Sequence, residues 1–473
     1  MRLDRRTFVK GALGATGVAL LGEAIDRQPG DQGSLARETE PAVASSDPAA
    51  SSIEHVVVVM MENRSFDHFL GWLPHANGRQ HGLSYADPGG RRHKTFKQEQ
   101  FNGCGYTDPD HSYTGGRIQY ADGKMNGFLT DTANDLYAIS YYTHAQRPFM
   151  GTLATHYTTC DNYFCSILAP TYPNRFFQHA GQTDRLDDSL TISTLPTIWD
   201  QLNRAGGPTG TYYYSDLPFL ALWGDKYTSI SEPVSAFMAA AEAGTLPNVS
   251  YVDPRFIGES NGTSDDDHPL ADIRAGDAFL SELFHAVSSG PAWPRTVFII
   301  NYDEWGGFFE HVAPSRVTAG VPIGASPSSG VDQDLDAKGH VLLGFRVPCI
   351  VASPFTSVEG GSQRVAHGRF DHTSILKLIE WRWGLEPLTQ RDASRASFDP
   401  GNLARVLNLG NPDPKVSSTI PVLPPFVPTA CSSEATTAEA GEDQSPVVSA
   451  VGVPGDSDKW KELQYSSLMD AWR

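Results

Sequence analysis

Short apolar runs with almost no polar interruption constrain this chain most. The run Val56 to Met61 reads VVVVMM and gives way at once to the polar segment ENRSFDHFLG. A strand exposed on one face alternates apolar and polar residues, whereas an unbroken run belongs to a strand covered on both faces, as in parallel sheets between helices. Similar runs recur at Gly210 to Tyr214, Asn248 to Val252, Arg295 to Asn301 and Val347 to Ala352. Segments of helical periodicity separate them, such as Asp371 to Trp383, where Ile375, Leu378, Ile379 and Arg382 fall at helical spacing. This alternation predicts an α/β fold with a central, mostly parallel sheet flanked by helices. With 473 residues, 40% of them hydrophobic, there is material for one large domain or two smaller ones.

The formal net charge of -19 disfavours nonspecific attraction to nucleic acid or anionic membranes, so an anionic substrate must be held by local features. Residues 1–22, MRLDRRTFVKGALGATGVALLG, place Arg5 and Arg6, then Phe8 and Lys10, before a short Gly- and Ala-rich apolar run. That pattern resembles a twin-arginine export signal, and the run is too short and weakly apolar to compete well as a membrane span. The twin-arginine machinery is therefore an expected partner, with the mature chain secreted, periplasmic or envelope-associated and carrying no transmembrane span. The expected organisation is a signal and irregular leader over 1–52, a catalytic domain over 53–415, a low-complexity tail over 416–457, and a short docking helix over 458–473. That helix is read from Trp460, Leu463 and Leu468. Ala319 to Lys338, rich in Gly, Ser, Pro and Asp, is expected to be an exposed insertion and a mobile cover. Five cysteines, at 104, 160, 165, 349 and 431, lack metal-ligand spacing. Cys349 reads as a buried thiol, and Cys104, Cys160 and Cys165 could contribute one disulfide of open pairing.

In open α/β sheets ligands gather beyond the carboxyl ends of the strands. The first run ends in Glu62 and Asn63, and TVFIINY ends in Asp303 and Glu304, followed by Gly306 and Gly307. Carboxylates beside buried strands are costly unless paired or bound to a cation, so four oxygen donors on two strand ends point to a divalent ion. Taken singly, each pair also fits a helix cap or an exposed turn. A third element is LAPTYPNRFFQHAG, where Thr171 stands at the start of a helix with Pro173 in its first turn. Amide N–H groups and the helix dipole favour phosphate there, with Asn174 and Arg175 as further donors. Thr171 alone would also serve as an N-cap.

The segments HVVVVMMENRSFDHFLG, CDNYFCSILAPTYPNRFFQHAGQTD, NYDEWGGFFEHVAP, GFRVPCIVASP and FDHTSILKLIEW together resemble, in order, the bacterial phosphoesterase family of phospholipases C and acid phosphatases. The resemblance runs from about Ile53 to about Leu409. It implies an alkaline-phosphatase-like layered architecture. It further implies one divalent ion (Ca, Mg, Mn or Zn) held by Glu62, Asn63, Thr171, Asp303 and Glu304, with Thr171 as nucleophile. Asn174, Arg175, His111, His268 and His311 would bind substrate, and His268 or His111 would protonate the leaving oxygen, His268 being preferred for its acidic neighbours. His372 lies in another family segment, with a supporting role. Trp305 and Glu310 depart from the family's usual His and Asp, and an indole at 305 could stack on a choline-like cation or narrow the pocket.

The expected activity is phospholipase C hydrolysis of a phosphodiester such as phosphatidylcholine through a phosphothreonine. The alternatives are acid phosphatase action on monoesters, or a noncatalytic envelope or ligand-binding protein of the same fold.

Overall fold

The computed structural model describes residues 51–332, 334–356, 364–431 and 459–472. The twin-arginine segment and most of the low-complexity tail lie outside the described residues. The valine run forms β1 (His55–Met61), in keeping with the preference of β-branched residues for the pleated backbone. Around it, in chain order, stand β2 (Thr158–Cys160), β3 (Gly210–Tyr214), β4 (Ser231–Pro233), β5 (Val249–Asp253), β6 (Thr296–Tyr302), β7 (Cys349–Ala352) and β8 (Arg364–Ala366). They form an eight-stranded sheet in the order β8-β2-β7-β6-β1-β5-β3-β4. All neighbours run parallel except that β7 is antiparallel to both β6 and β2. The expected α/β architecture is therefore present, and β1 and β6 are buried at every residue.

The helices that cover the sheet are α1 (Phe66–Leu70), α2 (Pro148–His156), α3 (Thr171–Ala180), α4 (Ile198–Ala205), α5 (Val234–Ala243), α6 (Ile273–Ser289) and α7 (His372–Trp383), with α8 (Lys459–Tyr465) after the undescribed segment. One group packs α6 against α2 and α5, and another packs α3 against α4 and α7. Local signals set their ends. Ser65 accepts the His68 N–H to start α1, Asp371 accepts the Thr373 N–H to start α7, and Gly181 closes α3 at φ 67°. Among the described residues no helix is long and apolar enough to cross a membrane.

One loop reading changes. Cys104 is bonded to Cys431, a partner outside the group read from the sequence, while Cys160, Cys165 and Cys349 are buried thiols. The 319–338 segment is exposed over much of 322–330, as expected, and is anchored at its start and at Asp334. Ala319 and Val321 are buried in a cluster with Phe164, Val317, Val341 and Leu343, and Asp334 pairs with Arg117.

The α3 core face carries a titratable group, His179, whose Nδ1 accepts the Trp199 indole N–H at 3.1 Å. Burial, assisted by the Arg175 charge, pushes its pKa down to about 3. The unfolded chain therefore binds a proton that the folded one refuses between pH about 3 and about 6.5, and stability rises with pH across that window. His179→Gln, which keeps an acceptor for Trp199, is expected to flatten the slope of unfolding free energy by about 1.4 kcal/mol per pH unit. Urea unfolding from pH 4 to 6 checks this, and an unchanged slope would mean that the folded imidazole accepts protons.

Candidate active site

The parallel pairing of β1 with β6 sets Met61 opposite Tyr302, so both acidic strand ends emerge side by side. Glu62, Asn63, Asp303 and Glu304 are all fully buried. Asp303 Oδ1 accepts the backbone N–H groups of Asn63 at 3.0 Å and Glu304 at 2.7 Å, tying the two ends together. Asn63 turns the chain there at φ 60°, a left-handed conformation that asparagine tolerates better than most residues. Gly306 lies so close that a Cβ would meet the Asn63 carbonyl oxygen at 2.0 Å, which explains the glycine after the acidic pair.

Thr171 opens α3 facing these ends, and its hydroxyl donates to Asn63 Oδ1 at 3.2 Å. Four residues on, one helical turn, Arg175 reaches three carboxylates: Glu62 at 3.1 Å, Asp303 at 3.1 Å and Asp253, at the end of β5, at 3.0 Å. Burial opposes its charge, but Asp253, Asp303 and Glu62 outweigh that and hold the guanidinium ionised. Asp303 itself is pushed up to about 7 by burial, with Arg175 pulling the other way and Glu62 adding to the rise.

His111 and His268 join the same site. The Asn63 amide lies 3.3 Å from His111 Nε2, and His111 Nδ1 lies 2.7 Å from the Pro109 carbonyl. Both contacts are satisfied if Nδ1 carries the proton and Nε2 accepts, which keeps Asn63 Oδ1 turned toward Thr171. The His268 ring is 5.9 Å from that of His111, and its Nε2 is 3.6 Å from Asp108 and 3.8 Å from Glu259.

The remaining expected residues have the following partners in the structure. The Asn174 amide donates to the carbonyls of Ile167, Ala169 and Pro170, bracing the loop before α3. Arg175 faces the acidic strand ends. The Tyr172 N–H is taken by Asp188 and Pro173 has none, so α3 offers fewer amides to an anion than its first turn predicts. His311 belongs to a separate cluster, with Nδ1 at 2.5 Å from Asp67 and with Glu310 and Arg346 beside it. Burial pushes Glu310 up to about 7, with Arg346 opposing and Asp67 reinforcing. Trp305 is fully buried, its indole N–H donates to Gln119 at 2.7 Å and its ring meets Phe345, so it packs the β6 end. His372 lies against the Tyr302 carbonyl at 3.1 Å, and burial lowers its pKa to about 4.

Sequence reading missed Asp253, Glu259, Asp266 and Lys459. Asp253 carried the signal already used for Asp303, an acid at the end of an apolar run. Lys459 sits with Nζ 3.1 Å from Glu259 and 3.5 Å from Glu62. Burial first, and Glu62 next, drive both Glu259 and Asp266 well above the usual carboxylate range.

The surplus of buried acids here suits a divalent cation, and among the described residues the acidic and histidine groups whose ligand atoms lie within 4.8 Å of one another include Glu62 but neither Asp303 nor Glu304. Glu62, Asn63, Thr171, Asp303 and Glu304 supply only oxygen, all buried, and the surrounding acids outnumber Arg175 and Lys459. Glu62, Glu259 and His268 also offer ligand atoms within 4.8 Å of one another, as do Asp108, His111 and His268.

The model of the phosphoesterase family matches residues 53–386. The non-specific phospholipase C1 of Arabidopsis thaliana is 31% identical over 383 residues, covering 73% of this chain and 70% of that protein. Phospholipase C B of Mycobacterium tuberculosis is 30% identical over 454 residues, covering 80% of this chain and 84% of its own. Among solved structures, the phosphonate monoester hydrolase of Agrobacterium radiobacter aligns with a TM-score of 0.37 at 11% identity, covering 76% of this chain and 78% of that one.

Proposed function

Since the chain belongs to the phosphoesterase family, we propose that it is a phospholipase C that cleaves the phosphodiester of a phospholipid such as phosphatidylcholine through a phosphothreonine at Thr171. That it is a hydrolase acting on phosphoric ester bonds follows from the family match and from the phospholipase C relatives. The observation that carries the covalent route is the Thr171 hydroxyl, 3.2 Å from Asn63 Oδ1 at the start of α3, between two acidic strand ends.

A divalent cation held by Glu62, Asn63, Thr171, Asp303 and Glu304 would favour the deprotonated form of the Thr171 hydroxyl and offset charge on the phosphoryl group. The Thr171 oxygen attacks phosphorus in line, forming the Oγ–P bond as the bond to the lipid alcohol breaks. His268 gives its proton to the departing oxygen. Water then attacks phosphorus and passes a proton to His268. The Oγ–P bond breaks, and Thr171 and the phosphorylated head group are freed. His111 fixes the Asn63 amide, and Arg175 keeps Glu62 and Asp303 in register.

The expected site of action is outside the cytoplasm. The twin-arginine pattern supports it, as does the Cys104–Cys431 disulfide, because such bonds persist in oxidising compartments.

Purified protein assayed with p-nitrophenyl phosphorylcholine and p-nitrophenyl phosphate is expected to favour the diester in kcat/KM by about tenfold or more, a difference of about 1.4 kcal/mol in transition-state binding. A preference of that size for the monoester would replace the phospholipase reading with that of an acid phosphatase.

A further inference from the structure

Helix α8 carries a charge into the centre of the molecule. Lys459 is 4% exposed, and its ammonium reaches Glu259 at 3.1 Å and Glu62 at 3.5 Å. Its carbonyl accepts the hydroxyl of Tyr172, the neighbour of Thr171. The next residue, Trp460, lies flat on Phe256 with ring centroids 3.8 Å apart, and Leu463 is fully buried. Farther along, the Trp472 indole donates to the Gly224 carbonyl. The chain also leaves and returns at one place. The Cys431 N–H donates to the Asn261 carbonyl, and Lys459 meets Glu259 two residues away on the same short helical turn.

Resting on the reading of Glu62 as a cation ligand, we infer that Lys459 and a divalent cation compete for the Glu62 carboxylate, so that cation binding and the docking of α8 oppose each other. A buried ammonium is tolerated only while carboxylates face it. A cation drawing on Glu62 removes one of those partners and adds a like charge a few ångströms away. Arg175 already faces the same carboxylate, so two fixed positive charges meet an incoming ion. Trp460 and Leu463 hold the helix by apolar contact, while Lys459 answers to charge at Glu259 and Glu62. Such linkage is reciprocal: what weakens cation binding by docking must weaken docking by cation binding. Thr171, Asn63 and His268 are fully buried, so loosening α8 would also open a path to them.

The test titrates Ca²⁺, Mn²⁺ and Zn²⁺ separately into the protein by calorimetry. Lys459→Met is expected to bind the preferred ion at least about tenfold more tightly, and Lys459→Arg within about threefold of the parent. In the unsubstituted protein, the same ion should speed hydrogen exchange of the amides in 459–472. Unchanged or weaker binding by Lys459→Met, with unchanged exchange, overturns the competition. Glu62→Gln separates the two ideas. If it binds the ion as well as the parent does, the cation lies elsewhere and the site reading fails. If it loses binding while Lys459→Met is unaffected, the competition alone fails.

Discussion

Replacing Thr171 with alanine is expected to lower kcat by at least about a thousandfold while the fold survives, the scale seen when a covalent nucleophile is removed. The substitution deletes one hydroxyl, which donates to Asn63 Oδ1. A buried hydrogen bond of this kind contributes about 1 kcal/mol, so thermal unfolding should move only slightly. The large kinetic effect and the small structural one come apart because α3 does not depend on Thr171 for its start: Pro173 suits the first turn, and Asp188 accepts the Tyr172 N–H. Thr171→Ser, which restores a hydroxyl, should recover a measurable rate. Single-turnover assays on the phosphorylcholine ester measure both, and an alanine variant with near-parent turnover would remove Thr171 from the mechanism.

The second large effect is on stability. Arg175→Met should destabilise the fold by about 3–5 kcal/mol at pH 8, the cost of breaking a buried ion pair from one side. The methionine fills most of the volume, so the loss comes from Glu62, Asp253 and Asp303 left without their shared cation. Burial already holds Asp303 near 7 with Arg175 present, and removing the guanidinium raises it further. A carboxylate whose folded pKa exceeds its unfolded value loses stability as pH rises through that range. The gap between variant and parent should therefore shrink as pH falls from 8 to 5. Arg175→Lys keeps a charge but not the fork that serves three partners, and should fall between the two. Urea unfolding at both pH values measures the gap; a gap below 1 kcal/mol at pH 8 would mean that Arg175 is not what holds the strand ends.

The sheet was legible because its central strands lie between helices, and burial on both faces leaves an unbroken apolar signature in VVVVMM and TVFIINY. Residues directly after such runs sit at the carboxyl edge by geometry, which is why Glu62, Asn63, Asp303 and Glu304 could be named before their neighbours were known. Thr171 was legible as a helix start. What Asn174 and Arg175 do was not, because both donate in either reading and only the strand order tells which acceptors are near. Arg175 meets Asp253 because β5 lies beside β1, a fact of pairing that local pattern does not contain. Lys459 and the Cys104–Cys431 bond join positions hundreds of residues apart, 327 for the disulfide, and no local periodicity reports such contacts.

The Arg175 clamp also divides the site by how easily its parts can diverge. The proposed nucleophile opens α3 and the proposed acidic ligands directly follow β1 and β6, where Asp303 and Arg175 tie them together, so small shifts in one disturb the others. His111, beside the Asn63 amide, and His268, the proposed proton donor to the leaving group, stand on longer connecting segments outside the named strands and helices. Loop exchange could then change which alcohol departs while phosphorus chemistry stays intact. A directed-evolution campaign aimed at new head groups would do best to randomise the loops around 108–112 and 263–270 and leave the clamp alone.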